Sequence, residues 1–428
     1  MAKPKSSPVN PIRKEAWRLL DGVVIGQTVL PDLLSMPQHQ ALEPAQRAEA
    51  LRLATATLRF ADRADWGLKP FMARLPHDTI RNLLRLGVVE VCGEGAASHG
   101  VVNDLVALAG RSNRTAGHKG MVNAVLRRTI EKLEGNWDKA PIPKTQKWLR
   151  KPLAAAYGNS VLQGIERAHS QGPALDLTVK SDAAGWAEKL NGTVLPSGTV
   201  RLPSGGRVTG LSGFDEGAWW VQDAASSMPL ASLDIAPGYK VLDLCAAPGG
   251  KAMQMAAAGA EVTAVDVSDT RLVRVSENLE RVGLKAEIVT SDALQFQGGP
   301  YDIVVLDAPC SATGTIRRHP DLPFARDGAE IGFLIEQQGH FLDHAAKLVA
   351  PGGTLVFCTC SLLPDEGEVQ VEDFLAKHKE FTAQDPHGDW IDPDWKTQEG
   401  GIRLRPDFWS EMGGMDGFYF AHLKRHAA

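Results

Sequence analysis

Val241-Leu-Asp-Leu-Cys-Ala-Ala-Pro-Gly-Gly-Lys251 is the stretch on which the fold turns. Its first half is a short apolar run that suits a buried strand. Its second half is a Pro-Gly-Gly turn that opens the helical pattern Ala252–Ala258. Working outward, strands are predicted over Lys240–Leu244, Glu261–Val267, Ala286–Thr290, Tyr301–Asp307 and Thr354–Thr359. Helices over Asp269–Val282, 329–349 and Pro364–His378 alternate with them, and two strand-like runs, Gly401–Arg405 and Gly417–Lys424, follow. Strands alternating with helices predict a mostly parallel sheet over 216–428, with ligands at the carboxyl ends of its strands.

The loop Cys245, Ala246, Ala247, Pro248, Gly249, Gly250, Lys251 is a candidate cofactor cradle. Small residues let backbone approach a ligand, and N–H groups at a helix start suit a carboxylate or phosphate. It is not a P-loop, which needs Gly at Cys245 and Ser or Thr at Ala252, and it lacks GxGxxG. Asp266 ends the second strand, about 20 residues on, where an acid reaches ribose hydroxyls. Asp292 follows the third strand, placed to meet an adenine amino group, and Asp307 ends the fourth. Any one of the three could simply cap the loop or helix that follows. An acidic ribose contact disfavours a 2′-phosphate and fits an uncharged adenosine, which leaves S-adenosylmethionine and NAD both open.

Five cysteines, at 92, 245, 310, 358 and 360, are odd in number and without paired CxxC spacing; the twelve histidines show no metal pattern. Reduced thiols, a cytoplasmic location and no metal site are therefore expected. Cys92 follows an apolar helix and is expected in the core. Cys310 and Cys360 follow the fourth and fifth strands, so both thiols should meet at the cofactor edge. A buried Cys is usually an inert small hydrophobe, but Ser311, Thr313, Thr359 and Ser361 give these two polar company. A thiol beside a methyl donor suits cytosine C5, which is a poor nucleophile until a thiolate adds at C6. At a free thiol pKa of about 8.5, ionisation costs about 2 kcal/mol at pH 7, so Lys251, Arg317 and Arg318 are candidates for local positive potential. Asp307, close to Cys310, could hold the base by its N3 or N4 edge. The base must leave any stack to reach the thiol.

Upstream, residues 11–135 carry apolar stripes at helical spacing, such as Ile80, Leu83, Leu84, Leu86 and Gly87 after a start at Pro76-His77-Asp78. Pro141 and Pro143 mark a linker. Residues 140–215 are expected to form a small α+β linking domain, with a helix over Trp148–Tyr157 and a strand-like run over Ala174–Lys180. Residues 1–10, rich in Pro, Ser and Lys, are expected to be disordered.

The 428 residues carry a net charge of −5, which taken alone speaks against a polyanion partner. The balance is uneven: residues 1–150 hold 23 Lys+Arg against 14 Asp+Glu, and the remainder carries the acidic excess. Arg111, Arg114, Lys119, Arg127 and Arg128 are a candidate phosphate-binding face, and Arg317 and Arg318 are candidates for RNA contact beside a flipped base. A solvated helix face and structural ion pairs are the plainer alternatives. Trp219 and Trp220 could stack on a base, though core is expected for at least one. No stretch approaches the roughly 20 apolar residues of a membrane span.

At this point the motifs are recognisable. DLCAAPGGK (243–251), AVDVSDTRLVRVSENLERVG (264–283), LDAPCSATGTIRRHPDL (306–322), LVAPGGTLVFCTCSLLPDEGE (348–368) and GFDEGAWWVQDAASSMP (213–229) resemble the RNA cytosine-5 methyltransferases. The resemblance implies a Rossmann-like S-adenosylmethionine domain over 216–428. It implies Cys360, in the Thr-Cys motif, as nucleophile and Cys310 as the thiol that assists product release. It also implies cofactor contacts from the Cys245–Lys251 loop, Asp266, Asp292 and Asp307, with Arg271 near the ribose or carboxylate. LPHDTIRNLLRLGVVEV (75–91), SHGVVNDLVALAG (98–110) and HKGMVNAVLRR (118–128) resemble a NusB-like RNA-binding domain, a fusion that implies a ribosomal RNA substrate. A monomer is expected. Cys358 stands where that family commonly has Ser or Ala, and residues 381–400 carry no family pattern. An RNA-binding assembly factor with a decayed catalytic half, and a small-molecule methyltransferase, are the competing classes. The intact cysteine pair argues against the first, and the basic helical half against the second.

Overall fold

The computed structural model describes residues 9–203 and 207–427; the expectation for residues 1–10 falls almost wholly outside them. The chain divides into two compact units.

The first unit comprises residues 9–154, 159–170 and 318–327. It is helical: α1 (Pro11–Val24), α2 (Leu30–Ser35), α3 (Pro44–Arg59), α4 (Ala61–Leu68), α5 (Asp78–Val88), α6 (Ser98–Ala109), α7 (Lys119–Leu133) and most of α8 (Lys147–Gln171). Asn10 starts α1 by accepting Ile12 N–H at 2.9 Å, with Pro11 as its first residue. The stripe read in α5 is the core face: Ile80, Leu83, Leu84 and Leu86 are buried against Leu105 of α6 and Leu126 of α7. Gly87 allows that approach, since a Cβ there would meet Leu105 Cδ1 at 2.6 Å and Leu126 Cδ2 at 2.9 Å. Cys92 packs against this core while remaining partly exposed, and burial pushes its thiol up to about 12. α8 breaks at Gly158, whose φ of 77° no ordinary helical residue adopts.

The second unit, 155–158, 171–317 and 328–427, contains two sheets. The small one joins β1 (Leu175–Val179), β2 (Thr193–Val194), β3 (Val200–Leu202) and β4 (Trp219–Val221) in the order β2-β3-β1-β4, with α9 (Ala183–Lys189) beside it. Here the sequence expectation needs correction. The small sheet runs past residue 215, and it clusters with the large sheet rather than forming a domain of its own. The cause is buried polar stitching. Arg201 pairs with Asp176 at 2.6 Å and donates to the carbonyls of Met412 and Gly414, while Asp176 accepts Ala224 N–H at 3.0 Å. Trp219 and Trp220 are both core, at 0% and 2% exposure, so neither is open to a base.

After α10 (Ala224–Ala231) comes the large sheet. Its elements are β5 (Lys240–Leu244), α11 (Gly250–Ala257), β6 (Glu261–Asp266), α12 (Asp269–Val282), β7 (Glu287–Thr290) and β8 (Tyr301–Asp307). Beyond the short α13 (Leu322–Ala325) follow α14 (Ile331–Leu348), β9 (Val349–Thr359), α15 (Glu368–Lys377), β10 (Phe381–Gln384), β11 (Ile402–Leu404) and β12 (Phe418–Arg425). The order is β7-β6-β5-β8-β9-β12-β10, with β11 on β12. β5 to β9 are parallel, and β12 runs antiparallel to β9. The motifs and two of the late strands fall where the sequence put them. β10 lies in the segment without a family pattern. The chain first winds from β5 to β7 and then crosses back to β8 beside β5. That reversal makes a switch point, the place where open α/β sheets bind ligands.

Candidate active site

The carboxyl ends of β5, β6, β8 and β9 carry the expected residues to one edge. Cys245 leaves β5 with φ 61°, Gly249 has φ 101°, and α11 begins at Gly250. A side chain at Gly249 would lie in a conformation that L-residues rarely adopt and 3.2 Å from Val275 Cγ1. Gly249 is thus required by its conformation and by the close approach of α12. Burial raises the Cys245 thiol to about 12, so it stays protonated and inert.

Asp266 is 2% exposed and is held by the loop itself: its Oδ2 accepts Ala247 N–H at 3.2 Å and its Oδ1 accepts Ser268 N–H at 3.0 Å. Arg271 straddles both, donating to Ala247 O at 2.8 Å and lying 3.4 Å from Asp266. Asp292 accepts Leu294 N–H at 2.9 Å. Both acids thus make the capping bonds of the plainer alternative, and both lie at the carboxyl ends of their strands.

Lys251 turns away from the loop. It is 4% exposed, and its Nζ donates to Asp307 Oδ2 at 2.7 Å. Burial works against its charge, but Asp307, Cys358 and Asp243 outweigh it, so its pKa is raised and the ammonium persists. Asp243, fully buried beneath this pair, is pushed up to about 7 by burial, against the pull of Lys251.

Cys310 and Cys360 meet, Sγ to Sγ, at 3.5 Å. The separation is a thiol contact and not a disulfide. The Cys310 pKa is raised well above its ordinary value, first by the hydrogen bond to Cys360 and then by burial. Gly314 brings the two loops together: its N–H donates to Cys360 O at 2.9 Å, and a Cβ there would lie 1.9 Å from Gly417 O. Cys358, opposite Asp307 in the β8/β9 register, is fully buried and protonated.

Two expectations for RNA contact part company. Arg317 is 1% exposed, pairs with Asp223 at 2.9 Å and Asp416 at 3.6 Å, and donates to Gly413 O. It is a buried structural cation, not a surface for RNA. Arg318 is exposed and opens the segment 318–327, which folds within the helical unit. There Asp321 accepts Leu30 N–H at 2.8 Å, and Ala325 joins the helical core. Arg111, Arg114, Lys119, Arg127 and Arg128 are all exposed in that unit. A residue missed in the sequence is Glu366, buried beside both thiol loops; the Pro-Asp-Glu run after the Thr-Cys motif was the only signal.

An open sheet with a small-residue loop and acidic strand ends at its switch point belongs to the Rossmann-like methyltransferases. Comparison with known proteins narrows this. Residues 230–424 match the family described as 16S rRNA methyltransferase RsmB/F, and residues 10–131 match the NusB family. The chain is 34% identical to Ribosomal RNA small subunit methyltransferase B of Pseudomonas syringae pv. tomato, covering 98% of each. It is 33% identical to the protein of that name from Pseudomonas putida, over 98% of this chain and 99% of that one. The crystal structure of PH0851 shares the fold at TM-score 0.72 and 23% identity, over 98% of this chain and 100% of that one. NSun6 from Pyrococcus horikoshii, solved with SFG, shares it at TM-score 0.56 and 19% identity, over 66% and 98%. The chain belongs to the RsmB/F family of 16S rRNA methyltransferases, with a NusB domain at its amino-terminal side. Among the described residues no helix is long and apolar enough to cross a membrane.

Proposed function

We propose that this protein methylates C5 of a cytosine in ribosomal RNA, using S-adenosylmethionine and a transient bond between Cys360 and C6. The observation that carries this is the pair of thiols in contact at a strand-end edge that also holds the Lys251–Asp307 pair.

The cradle fits the cofactor. The N–H groups at the start of α11 suit a methionine carboxylate, with Arg271 anchored beside them. Asp266 and Asp292 have lone pairs for ribose and adenine donors. Val267, 69% exposed next to Asp266, offers an apolar face to a purine. Bound there, S-adenosylmethionine supplies an electrophilic methyl group on a sulfonium sulfur.

Cys310, its pKa raised by the contact with Cys360 and by burial, keeps its proton and is placed to give it a hydrogen bond to Cys360 Sγ. Two thiols so close hold one negative charge far more readily than two. The Cys360 thiolate adds to C6, and C5, now nucleophilic, would take the methyl group, the bond to the sulfonium sulfur breaking with its electron pair left on that sulfur. Loss of the C5 proton to water and cleavage of the S–C6 bond then restore the ring and return the electron pair to Cys360. Asp307, paired with the Lys251 ammonium at 2.7 Å, accepts from the cytosine amino group and orients the ring. Cys310 assists the release half of the cycle.

Bisulfite mapping of RNA treated with the purified protein tests the product; absence of new 5-methylcytosine in small-subunit RNA would sink the proposal. Cys310→Ala should accumulate a protein–RNA adduct, visible as a shifted band on a denaturing gel. A variant that turns over normally with no such band would remove the release role.

The exposed basic residues are proposed to hold RNA phosphates. Replacing Arg111, Arg127 and Arg128 together by Glu should weaken RNA binding and flatten its salt dependence by about two units, at roughly 0.7–0.9 per phosphate contact. An unchanged slope would make that face ordinary surface.

A further inference from the structure

Glu366 has no part in the chemistry above, yet it is 0% exposed and sits against the residues that follow both thiols. Its Oε2 accepts Ser311 Oγ at 2.5 Å and Ser361 Oγ at 2.6 Å. Its Oε1 accepts Ser311 N–H at 2.8 Å and Gln338 Nε2 at 3.1 Å. Ser311 directly follows Cys310 and Ser361 directly follows Cys360. A single carboxylate oxygen thus joins the loop after β8 to the loop after β9, one residue from each sulfur. Gln338 ties the same carboxylate to α14, and it also donates to Pro309 O at 2.9 Å, on the other side of Cys310.

The arrangement suits a carboxylate. The Ser311 amide and the Gln338 amide can only donate, and a serine hydroxyl has one proton to give. Both hydroxyls can donate to one oxygen only if that oxygen needs none. Thr313 Oγ1 completes the cluster, 3.2 Å from Ser311 Oγ and 3.2 Å from Ser361 Oγ, and accepts Leu362 N–H at 3.0 Å. Charge-assisted hydrogen bonds of this kind are short and stiff. An amide in place of the carboxylate would reverse both serine bonds, its –NH2 donating to hydroxyls that must then give their protons elsewhere.

We infer that Glu366 is a positioning residue that sets the separation of the Cys310 and Cys360 sulfurs, and that the reaction depends on it through that separation. This rests on the proposed roles of the two thiols. The thiol that adds at C6 and the thiol that assists release act on one and the same adduct, so they must stay side by side through the cycle. The carboxylate is also one of the groups that hold Cys310 protonated.

The test uses the full-length protein and the variants Glu366→Gln and Ser311→Ala. Diamide takes two electrons from the two thiols and joins them as a disulfide, which mass spectrometry reads without RNA or cofactor. Closing from 3.5 Å to a bonded sulfur pair requires little movement in the native protein. Glu366→Gln should slow this cross-linking, and should lower kcat by about 10²-fold, the order expected for a misplacement near 1 Å. The KM for RNA and the Kd for S-adenosylmethionine should stay close to wild type. Ser311→Ala, which keeps the carboxylate and the backbone N–H, should show the same split to a smaller degree. It decides the matter if Glu366→Gln does not fold. A folded variant with unchanged cross-linking, or with slowed cross-linking and unchanged kcat, overturns the inference. Full methylation by Cys360→Ala would instead remove the thiol roles, and the cross-linking comparison would still report on the tie.

Discussion

Cys360→Ala is expected to abolish 5-methylcytosine formation, by about 10⁴-fold or more, equivalent to more than about 5 kcal/mol of transition-state stabilisation. No other group among those described can take its place without rearrangement. Cys310 is nearest, at 3.5 Å, and its pKa is raised by its contact with Cys360 and by burial. Cys358 lies two residues earlier, inside β9, fully buried and protonated. Affinity for S-adenosylmethionine should be nearly unchanged, because the cradle formed by Cys245 to Gly250 and Asp266 shares no hydrogen bond with Cys360. The measurements are incorporation of labelled methyl into RNA and calorimetric titration with the cofactor. Robust incorporation by this variant would show that the Thr-Cys thiol is not the nucleophile.

Arg317→Ala should act on stability instead. Arg317, Asp223 and Asp416 have side-chain exposures of 1%, 5% and 2%, so removing the cation leaves carboxylates in a dry site. Breaking a buried pair in this way costs about 3–5 kcal/mol. At roughly 2–4 °C per kcal/mol for a unit of this size, the unfolding temperature should fall by about 10 °C. Gly413 O also loses its donor. RNA affinity and its salt slope should hold as long as the protein is folded. A loss of RNA affinity without a change in unfolding temperature would restore Arg317 to the RNA surface.

Much of the site was legible in the sequence because it is built from strand ends. Asp266 and Asp307 occupy the last positions of β6 and β8, and Cys360 follows β9 directly. In a parallel sheet, alternation of strand and helix puts all such positions on one edge, whatever the side chains are. The helical stripe around Leu83 and Leu84 was legible for a similar reason, since a period of 3.6 points to a buried face before any partner is known.

Other features carried no local signal. Arg317 and Arg318 are adjacent and chemically alike, yet one is buried on two aspartates from distant parts of the chain and the other is exposed. Nothing within a few residues of Arg317 announces Asp223 or Asp416. In the sequence Glu366 is one of three acids between 365 and 368, and only the crossing of the two thiol loops makes it a shared acceptor. Lys251 closes a glycine loop, a natural place to meet a ligand, but its ammonium goes to Asp307 on the neighbouring strand.

The sequence by itself determined the parallel α/β sheet, its ligand edge, the loop chemistry and the pair of thiols, because periodicity and strand ends are local properties of the chain. Tertiary structure alone decided which charges are buried, how close the thiols come, and that the small sheet joins the large one. Those depend on which remote groups meet where water is excluded. In that setting an ion pair or a shared hydrogen-bond acceptor has consequences that it would not have at the surface.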